Sequence, residues 1–320
     1  MKVTFDTNCL INYFDQNSET ATSREEIAEL LRLATSGRIS VAITTRTEND
    51  LYQDRDRGRR DNMLSTLAMF DVIGSIARWD ESFWDKGDFW ADDATSDLND
   101  QIASIVFPGL SNDDPRFGNK IRDVDHLTAH RVANRDIFVT DDGTVNRRKE
   151  GLRGLGIVVM RPAECLAFVE HLFSQSDHRV FPSISDSNHR DDRMSGTVEF
   201  DYSNYNGLFS LGSGVFLFDT KWSKASDKRI HAYSDGKSVD AVAHARSARD
   251  ISDVRDAGAL DFSSRVRTIP VGGVAIWRNA NGVFGATKVL AISDNTRGAE
   301  RDSLSLEFKI LVEGGDFSTA

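Results

Sequence analysis

The chain has 320 residues, 39% of them hydrophobic and 28% charged, the composition of a globular protein with room for two domains. Its formal net charge of −11 excludes a protein that coats nucleic acid through its global field, while leaving room for a local basic track. No apolar run is long enough to cross a bilayer, and Asp6 and Asn8 interrupt any signal-type stretch, so a cytoplasmic protein without membrane contact is expected.

Residues 2–6 form an apolar run ending on Asp6, which predicts a buried strand. Ser23, with Glu26 three positions on, has the form of a capping box. Ile27, Leu30, Leu31 and Ala34 then make a helical stripe that Gly37 closes. A second short strand is predicted over 39–43, followed by Thr44, Thr45 and Arg46 and then by Glu48 and Leu51. Residues 54–120 read as an irregular insert. It has an arginine-rich start (Arg55, Arg57, Arg59, Arg60) and an amphipathic piece around Met63, Leu64, Leu67 and Phe70. Trp79, Phe83, Trp84, Phe89 and Trp90 follow among acids. So many aromatics are costly to leave in water. Packing as a helical cover on the sheet is therefore expected in preference to a base-stacking platform, since the flanking acids repel phosphate.

A helix opening at Asp123 and running to 132, strands over 137–140 and 157–160, and a helix opened by Pro162 complete a first domain at 1–172. This alternation predicts an α/β fold, a parallel sheet flanked by helices with right-handed crossovers. Residues 173–194, crowded with Ser, Asp, His and Asn, read as a linker. Over 195–320, short alternating runs at 197–202, 214–220, 274–277, 287–292 and 304–311 are separated by Gly and Asn turns. They predict a smaller antiparallel all-β domain, a sandwich or barrel-like accessory module. Its Lys221-Trp222-Ser223-Lys224 and Trp277-Arg278-Asn279 clusters suit either a ligand surface or charged edges that block aggregation. Cys9 and Cys165 have neither metal-type nor redox-type spacing and are expected in the core.

The chemistry lies in acids that follow apolar runs. Asp6 ends the first strand and Asp142 follows the third, and in an open parallel sheet ligands gather outside the carboxyl ends of the strands. Glu48 lies just beyond the second strand, and Asp123 opens the late helix, with Asp125 and Asp141 as substitutes. Residues two apart on a helix do not share a face, so Asp123 and Asp125 should not both enter one site, and Asp123 is preferred. Any one of these acids alone can simply cap a helix or turn. Gathered together they repel and raise one another's pKa unless a cation neutralises them. Hard oxygen ligands select Mg²⁺ or Mn²⁺ over zinc.

On these residues the chain resembles the PIN-domain ribonucleases over roughly residues 1–172. Asp6-Thr7-Asn8 matches the family's D-x-N signature, and Glu48 its glutamate after the second strand. Asp123 with His126-Leu127-Thr128-Ala129 matches the helix-borne aspartate, and Thr140-Asp141-Asp142 the closing T-x-D. The stretch between Glu48 and Asp123 is longer than in minimal toxins of the family. The resemblance implies phosphodiester hydrolysis, of RNA in preference to DNA, in a toxin-type or defence effector. It implies Asp6, Asp123 and Asp142 as ligands of one or two Mg²⁺ or Mn²⁺ ions, and Glu48 as a further ligand or the group orienting the attacking water. Asn8 and Thr140 would fix the carboxylates' orientation. Arg46, Arg147, Arg148 and Lys149 flank the rim and would either neutralise substrate phosphates or form a solvated face. The implied partners are nucleic acid, an antitoxin or regulatory protein, and a second copy of the chain.

Three alternatives compete. His126 and His130 are spaced like zinc ligands, but Leu127 stands where a zinc protease carries its glutamate. A phosphatase of the haloacid dehalogenase type needs a second aspartate where Asn8 stands. A PIN-like scaffold that binds RNA or protein without cutting is the third, and the full acid set argues against it.

Overall fold

The computed structural model describes residues 1–14, 23–53, 57–79, 81–174 and 179–318, so the expectation at Arg55 lies outside the described residues, as does the side chain of Arg59. The chain divides into two compact units, Met1–Glu170 and His171–Ala320.

In the first unit the order is β1 (Lys2–Phe5), α1 (Thr7–Phe14), α2 (Arg24–Thr35), β2 (Ser40–Thr44), α3 (Thr45–Tyr52), α4 (Arg57–Thr66) and β3 (Asp71–Ile73). Then come α5 (Asp93–Val106), α6 (Phe117–Val132), β4 (Ile137–Val139), α7 (Gly143–Arg147), α8 (Lys149–Arg153) and β5 (Val159–Met160). Helix α9 (Pro162–Ser174) crosses the boundary between the units. The five strands form one all-parallel sheet in the order β3-β2-β1-β4-β5. Both faces of its central strands are covered, so Val3, Phe5, Ala42, Ile43, Phe138 and Val139 are all buried, and the threonines Thr4 and Thr44 are buried with them. One core cluster joins Phe138 and Val159 to Ile102 and Val106 of α5 and to Val124 and Leu127 of α6.

Three sequence expectations need correction here. The stretch 54–120 is no irregular insert, because it supplies the edge strand β3 and the core-forming helix α5. Asp123 does not open its helix, since α6 begins at Phe117. Ser23 occupies the N-cap position of α2 but forms no side-chain cap; its hydroxyl donates to Asp141 Oδ1 at 3.1 Å.

Strand order runs outward from β1 to β2 and β3, then returns to β4 and β5 on the other side of β1. The reversal between β1 and β4 is the crevice where open α/β sheets bind ligands. Asp6 leaves β1 there, and Thr140-Asp141-Asp142 leaves β4.

The second unit contains β6 (Arg190–Asp191), β7 (Ser195–Phe200), β8 (Leu208–Leu211), β9 (Phe218–Ser226) and β10 (Arg229–Tyr233). It continues with β11 (Val239–His244), β12 (Val266–Pro270), β13 (Val274–Asn279), β14 (Phe284–Ser293) and β15 (Ser303–Ile310). They form two five-stranded sheets, β12-β10-β9-β8-β6 and β11-β13-β14-β15-β7. The pairings are antiparallel except for β6 with β8, so the end of the expected linker is itself a sheet strand. The predicted strand at 214–220 starts as a 3₁₀ turn, Gly214–Phe216, and becomes extended only at Phe218. Trp222 and Trp277 do not line a surface. They meet edge to face at 5.1 Å between the sheets, each indole donating to a threonine hydroxyl, Thr220 and Thr287, at 2.9 Å. Asn279 is buried as well and donates to the carbonyl of Val215 at 2.9 Å. Among the described residues no helix is long and apolar enough to cross a membrane.

Candidate functional site

Asp6 is the best-fixed acid at the switch point. Its Oδ1 accepts the backbone N–H of Thr7 at 2.7 Å, and its Oδ2 accepts the Asn8 amide at 2.7 Å and the Thr140 hydroxyl at 2.6 Å. Asn8 also donates to Thr140 Oγ1 at 2.9 Å, while its oxygen accepts Asp141 N–H at 3.1 Å. The two strand ends are thus laced together around one carboxylate. Burial pushes the Asp6 carboxyl upward, with Asp50 adding to the push and His126 and Thr140 opposing it.

Asp142 caps α7, its Oδ1 accepting Thr144 N–H at 2.6 Å and Val145 N–H at 2.9 Å. Asp141 turns away from the crevice, accepting from Asn12 at 3.0 Å and from Ser23, with Arg161 3.8 Å away. Asp123 is half-buried and its carboxylate makes no hydrogen bond among the described residues. Burial, then the charges of Asp6, Asp50 and Asp142, push its pKa up to about 8, against the pull of His126. Asp6, Asp123 and Asp142 therefore share one electrostatic neighbourhood.

The fourth acid there is Asp50. Glu48 and Tyr52 occupy the other face of α3, where Glu48 pairs with Lys86 and accepts from Tyr52 at 3.3 Å. Two residues on a helix diverge by about 200°, so α3 cannot aim Glu48 and Asp50 at the same place. Asp50 accepts from Thr7 at 2.8 Å, lies 3.0 Å from His126 Nε2, and accepts from Arg122 at 2.9 Å. Burial raises the Asp50 carboxyl, but His126, Thr7 and Arg122 outweigh it and the net direction is down. Burial likewise lowers His126, and the bond and charge of Asp50, with Asp6 and Asp123, carry it upward overall. The signal that finds Asp50 is the two-apart rule already applied to Asp123 and Asp125.

Asp125 and Arg46 leave the candidate set. Arg46 is wholly buried, and its Nε donates to Asp125 Oδ2 at 3.1 Å while its other nitrogens reach the carbonyls of Ile76 and Glu81. Asp125 also takes a two-pronged bond from Arg78, at 2.6 Å on each oxygen, and one from Asn99 at 3.2 Å. The expected phosphate-binding arginine is thus an internal cross-link. His126 and His130 do not converge either: His130 contacts Thr4 Oγ1 at 2.9 Å, and burial lowers its pKa to about 3. Arg147 and Arg148 are exposed, and half-buried Lys149 pairs with Glu164 at 3.2 Å. Cys9 and Cys165 are buried free thiols.

The segment after β3 carries the aromatics that were expected to cover the sheet. Instead Trp79, Trp84 and Trp90 are 88%, 57% and 68% exposed and gather into one group, with ring centroids 5.2 Å apart for Trp84–Trp90 and 6.5 Å for Trp79–Trp90. Two of the neighbouring acids face inward, while Asp85, Asp92 and Asp93 stay exposed. Asp88 is buried and accepts the N–H groups of Ser75 and Phe83 at 2.8 Å, and Glu81 pairs with Arg122 at 3.0 Å. Gly74 permits this fold-back, since a Cβ there would lie 1.8 Å from the Gly87 carbonyl oxygen. Through Glu81, Arg122 and Asp50 the segment is tied to the acidic crevice.

Among the described residues no three His, Cys, Asp or Glu side chains are arranged as a group ready to hold a metal ion. The donor chemistry nevertheless suits a hard cation, because Asp6, Asp123 and Asp142 offer only oxygen and repel one another without a counter-charge. Compared with known proteins, the chain matches no family model and no curated sequence.

Proposed function

We propose that the first unit is a divalent-cation-dependent nuclease that hydrolyses RNA, with Asp6, Asp123 and Asp142 as the cation's oxygen ligands. The observation that carries this reading is that Asp6 and Asp142 leave the two strands at the switch point, within electrostatic reach of Asp123, which lacks any hydrogen-bond partner among the described residues. A bound Mg²⁺ or Mn²⁺ supplies Lewis acidity, acidifying a water and neutralising charge on the phosphate. Asn8 and Thr140 hold Asp6 in a fixed orientation. Asp50, anchored by His126 and Arg122, takes the orienting role expected of Glu48. The exposed tryptophans support a single-stranded substrate, since each offers a ring face on which a base can stack.

The test is cleavage of single-stranded RNA and DNA with Mn²⁺ by wild type, Asp6→Asn and Asp142→Asn. Metal-dependent cleavage of RNA, abolished in both variants, supports the reading; cleavage that survives both variants overturns it. A second reading, a scaffold that binds RNA or a protein without cutting, is favoured by the absence of an assembled ligand group among the described residues. RNA binding without any Mn²⁺-dependent cleavage would select it.

A further inference from the structure

The second unit carries a cationic groove for which neither the acidic crevice nor the fold has a use. Strands β12 and β11 are edge strands of the two sheets, and they pack beside one another. Between them opens a cavity of about 440 Å³ lined by Arg229, His244, Arg246, Val266, Arg267, Thr268 and Pro270. Three arginines and a histidine line it, and no Asp or Glu does. In a chain of net charge −11 such a concentration of cations is unexpected.

Arg267 is held in place. It is mostly buried, pairs with Asp261 at 3.1 Å and donates to the Val242 carbonyl at 3.3 Å. Among the described residues no ion pair ties Arg229 or Arg246 to a carboxylate, and both are exposed. Burial, then Arg246 and Arg267, hold His244 below its ordinary range, which places those cations within electrostatic reach of it. The Thr268 hydroxyl, in contact with His231 Nδ1 at 3.0 Å, adds a polar group to the wall. Guanidinium forks match phosphate oxygens in geometry as well as charge, and the volume suits a small ligand. We propose that this groove binds phosphate groups, with Arg229 and Arg246 supplying the ligand contacts and Arg267 the fixed positive wall.

The experiment is calorimetric titration of the full chain in EDTA, which removes any cation that could recruit phosphate to the acidic crevice. The probes are pyrophosphate, ATP and an oligouridine of about ten nucleotides. Arg229→Gln/Arg246→Gln is expected to weaken binding at least about tenfold, and Arg229→Lys/Arg246→Lys less. A thermal midpoint matching wild type shows that the fold is kept. Asp6→Asn/Asp142→Asn is expected to bind as wild type does, so failure of the nuclease reading leaves this result untouched. Saturation by pyrophosphate or ATP assigns a free phosphate ligand. Binding of the oligouridine alone, lost in the glutamine variant, assigns the phosphates of a nucleic-acid chain. No binding of any probe, or binding unchanged in the glutamine variant, overturns the proposal.

Discussion

The side-chain amide of Asn8 donates to Asp6 Oδ2 at 2.7 Å and to Thr140 Oγ1 at 2.9 Å, so one residue joins the ends of β1 and β4 at the carboxylate between them. Asn8→Ala and Thr140→Val should each remove one of the three hydrogen bonds that fix Asp6 and loosen its orientation. On the nuclease reading, Mn²⁺ affinity falls about 10- to 100-fold in each, with a thermal midpoint close to wild type. Calorimetric titration of Mn²⁺ measures this; unchanged affinity in both variants sinks the orienting role.

Asp123 makes the first unit sensitive to pH. Its folded pKa is about 8 against 3.8 for a free carboxyl, so the fold favours the neutral acid. The stability this contributes is fully present below 3.8 and is lost as pH rises through about 8. His126, also raised, acts in the same direction, because its stabilisation is lost as pH climbs past its folded value. In EDTA the melting temperature of wild type should therefore fall between about pH 5 and pH 8. Asp123→Asn should flatten that slope and melt several degrees higher at the upper end. Equal slopes in calorimetric scans of the two proteins would contradict the assignment.

Arg46 is worth more as a cross-link than any exposed pair could be. Its removal leaves Asp125 buried with one cationic partner fewer and frees the carbonyls of Ile76 and Glu81. Arg46→Ala should cost about 3–5 kcal/mol in urea unfolding. Asp125→Asn added to it should recover part of that loss, since the uncompensated charge is then gone. A loss near zero would show that Arg46 does not hold these elements together.

On the nuclease reading the tryptophan group acts on substrate binding and not on the chemical step. Trp84→Ala/Trp90→Ala should raise KM for single-stranded RNA, each stacked base being worth about 1–3 kcal/mol, with kcat retained. Stability should change little, because both rings are largely exposed already. A fall in kcat at constant KM counts against the stacking role.

That two mostly apolar strands end beside Asp6 and Asp142 was legible in the chain, because central strands of a parallel sheet must be buried, while the pairing of Asp6 with Asn8 and Thr140 was implied only by the family resemblance. Asp50 was not found in place of Glu48, because the phase of α3 depends on its starting at Thr45 and packing against α6. Nor was Arg46: a charged residue is expected at the surface unless partners compensate it, and its partners Ile76 and Asp125 lie 30 and 79 positions away in sequence. The tryptophans were expected to cover the sheet, on their apolar area and on the acids around them. Their exposure follows from Asp88 and Glu81 taking the inward positions of the same segment.

The sequence by itself determined the α/β alternation of the first unit, the strand-rich character of the second, and the acids at the ends of β1 and β4. These are consequences of local periodicity, which a strand or helix imposes on its own residues. Tertiary structure alone decided which acids share a neighbourhood, which arginine is internal, and that the paired strands β10 and β12 and the turn after β11 bring Arg229, Arg267 and Arg246 to one groove. Those outcomes depend on helix phase and on pairings between distant residues, where a buried charge is tolerated only if a partner arrives to compensate it.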